Sequence, residues 1–445
     1  MNARRVVVTG VGPVTPIGVG ADAFWNGLLE KKCGIQRLEA FDPSGFDSQV
    51  GGEVRDLPKI AEFVPKNYRK QAKIMARDIE LAVAAAWQAV MDAGLRTKCI
   101  VDRGDAEGGV NLDSTRFGAN IGAGLISADL PEIAEAFYTS SVDGVFDIKK
   151  WGKEGMENLT PLWLLKFLPN MLACHVTIVH DAQGPSNTIT CADASSHLAI
   201  GEAFRTIARG VADVCICGGA ESRMNPMAFI RQSLGKRLTH RNDTPEAACR
   251  PFAADRDGTA SAEGGGLVIL EELEHAKARG ARIYAELVGF GASNDAYTAG
   301  VPTKPHPEGR GVASATRKAL KDAGVSADKV NLVVPMAAGL KDYDAAEALG
   351  LQTALGEHAA KCTVMAINGG VGSNGAGTGA IDFIGAVLAM HHNTIVPSLN
   401  TQPQDAALKL KINTSTTDAK IDYAITTAYA IGGGQNAALV LKAYR

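Results

Sequence analysis

The chain has 445 residues, of which 46% are hydrophobic and 21% charged, with a formal net charge of −3. That is length for two or three average domains or one large α/β unit with an ample core. The mild negative charge argues against a general nucleic-acid role, and no apolar run approaches the roughly 18 residues of a membrane helix, so no membrane span is expected.

The first element is a strand, Arg5-Val6-Val7-Val8-Thr9, which leaves no room for a signal segment. Eight cysteines are scattered, and Cys215-Ile216-Cys217 alternates as a strand does instead of forming a CxxC pair. Reduced thiols, a cytoplasmic location and no metal site are the expectation. Lys66, Arg69 and Lys70, in VPKNYRKQAKIMARD, predict a helix with a clustered positive face. Segments 98–116 and roughly 140–160, rich in Gly, Asp and charge, read as surface insertions.

The run GPSNTITCADASSHLAIGEAF, Gly184 to Phe204, changes character at its middle. It is turn-like at Gly184-Pro185-Ser186 and extended through Thr188, Ile189 and Thr190. From Ala194 it turns helical, with Leu198, Phe204 and Ile207 at near-helical spacing and Gly210 as a stop. Asp193 therefore sits at a strand-to-helix elbow, where free N–H groups favour negative charge. Such an elbow activates a thiol as thiolate, yet here it carries a carboxylate. Cys191, two residues earlier, reads as a buried apolar cysteine inside the strand. For Asp193 the plainest role is capping the next helix through the Ser195 or Ser196 N–H.

The second part of the chain echoes the first. RRVVVTGVG at the start is matched by ARIYAELVGFG at 281–291, and AVMDAGL (89–95) by ALKDAGV (319–325). FGANIGAGL (117–125) parallels LVVPMAAGL (332–340), and the Asp193 elbow has its counterpart in AINGGVGSNGAGTGAID (366–382). Two β-α repeats packed face to face predict five layers, α-β-α-β-α, with loops converging at the centre. The predicted halves are 1–278 and 279–445.

These motifs, with FDPSGF, FLPNMLACHVTIVHDAQGPS, CICGGAES and the run from Thr239 to Tyr297, resemble the elongating β-ketoacyl synthases of the thiolase superfamily. The resemblance covers nearly the whole chain and implies a thiolase-like fold, acyl groups delivered on the phosphopantetheine of an acyl carrier protein, and no other cofactor. It also marks what has changed. Ungapped, Asp193 falls on the family's nucleophilic Cys, Met336 on its first His, Ser373 on its second His and Asn368 on its Lys. Gly432, in the Gly432-Gly433-Gly434 run, replaces the aromatic gate, so the run reads equally as a plain turn between strands. Lys66, Arg69 and Lys70 match the carrier-docking spacing, Glu263 an acidic brace bonded to backbone N–H groups, and Phe167 to Val176 the interface segment that lines the acyl tunnel. Backbone N–H groups at Asp193 and Gly433 are the expected remnant of the oxyanion hole.

Moving an acyl group from a carrier thioester to Cys exchanges one thioester for another, whereas moving it to Asp gives an uphill, hydrolysable mixed anhydride. Decarboxylative condensation also needs donors aimed at the developing enolate oxygen, and Met336 has none. The expectation is a non-condensing homologue, like the chain-length factors of polyketide systems, paired with an active ketosynthase. Those factors commonly carry Gln where this chain carries Asp193. The alternative is a homodimeric hydrolase, decarboxylase or acyltransferase that uses Asp193, with Ser373 or Asn374, on acyl thioesters.

Overall fold

Val6, Val7, Val8 and Val11 are all fully buried, which a strand achieves only when both its faces are covered. The computed structural model describes residues 4–295 and 304–445. Ala296 and Tyr297, the last two residues of the Thr239–Tyr297 run, lie outside the described residues. In the first half β1 (Val6–Thr15), β2 (Phe117–Ala123), β3 (Ser186–Ile189), β4 (Val214–Ser222) and β5 (Ser261–Glu272) lie in the order β3-β2-β4-β5-β1. β3, β2 and β4 are parallel, while β4–β5 and β5–β1 are antiparallel.

The second half repeats this arrangement. β6 (Ala285–Asn294), β7 (Leu332–Val334), β8 (Thr363–Val364), β9 (Tyr423–Tyr429) and β10 (Gln435–Ala443) lie in the order β8-β7-β9-β10-β6, with the same pattern of directions. β1 and β6 pair antiparallel through Val6–Val8 and Ala285–Leu287, joining the two sets. Helices α1 (Arg77–Asp92) and α2 (Met171–His180) cover the first set from outside, and α4 (Arg310–Ala323) and α5 (Lys341–Leu355) cover the second. Between the sheets lie α3 (Ser195–Ala208) and α6 (Thr378–His392). Thr378 to Met390 of α6 are buried all round, as a helix in a central layer must be. The expected five layers are present.

The matching sequence echoes have one physical cause. Both first strands bulge, between Val8 and Gly10 and between Leu287 and Gly289. A Cβ on Gly12 would lie 2.1 Å from the Ala85 carbonyl oxygen, and one on Gly291 would lie 2.1 Å from that of Ala315. Just past each bulge an N–H is taken by a helix-end carboxylate: Val11 donates to Asp92 at 2.8 Å, and Phe290 to Asp322 at 3.0 Å. The DAG motif thus ends a helix and closes a bulge at once.

Two expectations need adjustment. Residues 98–116 are not wholly superficial, because Cys99 and Ile100 on the short helix Lys98–Arg103 are fully buried. The 141–158 segment does lie largely on the surface, as a small hairpin and a short helix. The basic stretch is not one helix. It is a 3-10 turn, Lys66–Tyr68, then a single turn, Arg69–Ala72, and the chain goes extended at Ala76 before α1 begins. Lys66, Arg69 and Lys70 are all exposed, as is Lys73.

Candidate functional site

β3 ends at Ile189, a 3-10 turn spans Ala192–Ala194, and α3 begins at Ser195, so Asp193 sits at the elbow as expected. Ala192 has φ 48, a left-handed conformation that a residue with a Cβ adopts only under constraint. The capping role is not observed: the Asp193 side chain caps nothing. Ser195 closes the turn instead, its Oγ accepting from the Cys191 N–H at 2.8 Å and donating to the Ala192 carbonyl at 2.6 Å. Cys191 lies just beyond the strand and is partly buried, which pushes its thiol pKa up and away from thiolate.

Asp193 is fully buried, and its partner is a residue that pattern reading missed, Arg223. Arg223 Nη2 donates to Asp193 Oδ1 at 3.0 Å, and Arg223 Nε to Glu221 Oε1 at 3.1 Å. Ser373 Oγ donates to Asp193 Oδ1 at 3.3 Å, and the Ile431 N–H to Oδ2 at 3.3 Å. Glu221 also accepts from the Ala376 N–H at 2.7 Å. Burial alone would push the Arg223 guanidinium down, but Asp193 and Glu221 beside it outweigh burial and raise its pKa. The result is a carboxylate–guanidinium–carboxylate triad tying together the elbow, the end of β4, the loop before α6 and the loop before β10. A legible signal existed: Glu221 and Arg223 are two apart at a strand end, hence on one face, after a strand that buries every residue.

Ser373, expected at the second histidine position, therefore meets Asp193, while Met336, expected at the first, does not join that network. Met336 is fully buried, and its N–H and that of Ala337 are held by Glu347 at 2.9 Å each. Thr427 Oγ1 donates to the same carboxyl at 2.8 Å, and Asn368 Nδ2 donates to the Met336 carbonyl. Among the described residues no histidine bonds to Asp193, Ser373 or Met336. His197, one turn along α3 from Asp193, is buried against Thr426, and burial pushes it down to about 3, so its ring stays neutral.

The Gly432–Gly434 run is the turn between β9 and β10, with Gly432 at φ 83. Its N–H groups are engaged within the protein. Gly432 donates to the Tyr343 hydroxyl at 2.8 Å, Gly433 to the Ala430 carbonyl at 3.1 Å and Gly434 to Gln435 Oε1 at 3.2 Å. The expectation that Gly433 offers a free oxyanion donor is thus corrected: the tight turn consumes that N–H. Glu263 is a brace, though mostly to side chains. It accepts from the Val54 N–H at 3.0 Å, Arg77 Nη2 at 2.7 Å and Ser222 Oγ at 2.8 Å.

Several buried acids hold their protons tightly, Asp382 through burial among them. Burial, and next the charge of Glu221, push Asp78 up to about 7; burial pushes Glu347 up to about 7 and Asp344 up to about 6. A carboxyl whose folded pKa is raised contributes its full stability below its unfolded pKa and loses it as pH climbs through the folded pKa. Stability should therefore fall between about pH 4 and pH 8. Asp78→Asn should lose about 2–4 kcal/mol less than the parent over that window in urea titrations; parallel profiles for the two proteins would contradict this.

The "Beta-ketoacyl synthase, N-terminal domain" family model matches residues 3–276, and the "Beta-ketoacyl synthase, C-terminal domain" model residues 284–402. The chain is 33% identical over 446 residues to "3-oxoacyl-[acyl-carrier-protein] synthase 2" of Synechocystis sp., covering 100% of this chain and 99% of that one. Among solved structures it is similar to the ishigamide ketosynthase/chain length factor, with TM-score 0.83, 28% identity and 100% of both chains covered. The same figures hold for a type II polyketide acyl-carrier protein in complex with its ketosynthase. On the span of the two domain models and the end-to-end likeness to that relative, the chain belongs to the β-ketoacyl synthase family.

Proposed function

We propose that this chain is a non-condensing member of its family, acting in fatty-acid or polyketide biosynthesis beside an active ketosynthase and shaping the acyl tunnel between them. The observation that carries this reading is the locked elbow. Where the relatives' nucleophile stands, a buried carboxylate is neutralised by Arg223 and held by Ser373 and the Ile431 N–H. Such a carboxylate is paired and fully buried away from water, and that weighs against hydrolysis, decarboxylation or acyl transfer through Asp193.

A pairing surface supports the partner part of the reading. β3 is an edge strand, bonded only to β2 among the described residues, with Ser186 and Asn187 exposed. Leu125, directly after β2, is 61% exposed, and Ile178, on the helix that packs on β3, is 62% exposed. An uncovered edge flanked by apolar side chains is a surface another chain covers. Co-expressed with an intact ketosynthase encoded beside it, the chain should elute as a 1:1 heterodimer and alter product length. A stable homodimer indifferent to that enzyme would count against the reading and for a self-paired protein.

Carrier docking belongs to the same proposal. Lys66, Arg69 and Lys70 are exposed and carry no ion pair among the described residues, so their charge is available to an acidic carrier helix. Changing all three to Glu should weaken binding of the acyl carrier protein at least about tenfold at low salt, with the difference shrinking as salt rises. Equal binding by surface plasmon resonance would remove this patch from the account.

A further inference from the structure

A cavity of about 630 Å³ lies beside the Ser222 end of β4. Its walls include Phe41, Leu130, Met224 and Pro226, and Asp78, in the first turn of α1, lines it. Asp78 is 4% exposed, and its Oδ1 accepts from the Ser222 N–H at 3.1 Å. Apart from that contact and its own N–H, no group among the described residues donates to this carboxyl. Residue 78 is therefore a buried acid facing a void with no ion pair among the described residues, and the charge of Arg231 reaches it from farther off.

The neighbouring cations are already engaged. Arg77 is held by Glu263 and Glu80, Lys166 by Asp129 and Glu132, and Arg223 by Asp193 and Glu221. Arg231 sends its Nη2 to the Leu125 carbonyl at 3.0 Å and the Ser127 hydroxyl at 2.8 Å. Asp129 and Glu132 line the cavity as well, each already paired with Lys166, so Asp78 is the acid of the lining left without an ion pair among the described residues.

We propose that this cavity binds a small amphipathic ammonium ion, a primary amine on a short apolar body. The ammonium pairs with Asp78, and the hydrocarbon packs on Phe41, Leu130 and Met224. The site's one link to the elbow is Glu221, whose charge acts on Asp78, and binding there involves no condensation chemistry. Burial, and next Glu221, push Asp78 up to about 7, so occupation by a cation requires the carboxylate and releases a proton. Affinity for the ammonium should then rise about tenfold between about pH 6 and pH 8.

Calorimetric titration of the full chain with hexylammonium, 1-hexanol and hexanoate tests this. Hexylammonium should bind at least about tenfold more tightly than 1-hexanol at pH 8, and Asp78→Asn, which keeps an acceptor for the Ser222 N–H, should abolish that preference. Leu130→Trp, at a part-exposed wall position, should weaken both hexylammonium and 1-hexanol by narrowing the void. Equal or tighter binding of 1-hexanol or hexanoate overturns the proposal. So does an ammonium preference that survives Asp78→Asn, or no heat from hexylammonium in the millimolar range.

Discussion

Asp193→Ala is expected to destabilise the protein by about 3 kcal/mol, read as a shift in the urea midpoint at unchanged m-value. Breaking a buried ion pair from one side typically costs about 3–5 kcal/mol, because the remaining charge is stranded without water. The lower end applies here, since Glu221 stays in place to hold Arg223 at 3.1 Å. The change also frees the Ile431 N–H and the Ser373 hydroxyl, both buried donors to that carboxylate. Asp193→Asn should cost less, since the amide oxygen still accepts from one of them. In the cycle with Arg223→Met, the double substitution should cost about 0.5–3 kcal/mol less than the sum of the two single costs, the signature of direct coupling. The sign separates the two readings of residue 193. A catalytic carboxylate held in a strained, partly unsatisfied state gives back stability when removed. A neutral or stabilising Asp193→Ala would therefore end the structural account of this residue.

Much of the fold was legible because its signals are local and repeated. The bulge glycines and helix-end DAG motifs recur as Gly10, Gly12 and Asp92, then as Gly289, Gly291 and Asp322, and each serves the same contact. The elbow was legible because a β-branched run cannot continue as the helix that follows it. What the carboxylate at that elbow does was not legible. Local reasoning assigns an Asp before a helix to capping, since the only donors visible nearby in the sequence are the N–H groups ahead. Its real partners arrive from residues 223, 373 and 431, and in the interior the guanidinium wins over a surface-type cap. The same limit applies to Asp78. It sits in the first turn of α1, where an acid is ordinary helix chemistry, and only tertiary packing buries it, so that burial and next Glu221 raise its pKa against the opposing Ser222 N–H. The basic stretch erred the other way: its composition is helical, but the extended backbone at Ala76 splits it from α1.

Restoring sulfur at the elbow should not restore chemistry. In Asp193→Cys the thiol would lie against Arg223, which lowers its pKa and favours thiolate, so the nucleophile itself would be present. Carbon–carbon bond formation needs more than that. The enolate left by decarboxylation must be met by donors preorganised around its oxygen, and losing one such donor costs about 10²–10³ in rate. Met336 offers no donor from its side chain, and its N–H is committed to Glu347. The buried hydroxyl of Ser373, also held by Arg223 Nη1 at 3.4 Å, is a weaker donor than an imidazole. With both positions deficient, the condensation rate of Asp193→Cys should remain at least about 10⁴-fold below that of an intact ketosynthase. Access adds a second barrier, because residue 193 is fully buried, so even a reactive thiolate meets an acyl carbon only if the Ile431–Gly434 turn moves. Intact-protein mass spectrometry with acyl-carrier substrates separates the two barriers. An acyl adduct without elongated product places the block at the missing donors, whereas no adduct places it at the closed turn. Elongated product from this single substitution, or from the unaltered chain, would mean that donors from elsewhere reach the enolate and that the locked elbow opens in solution.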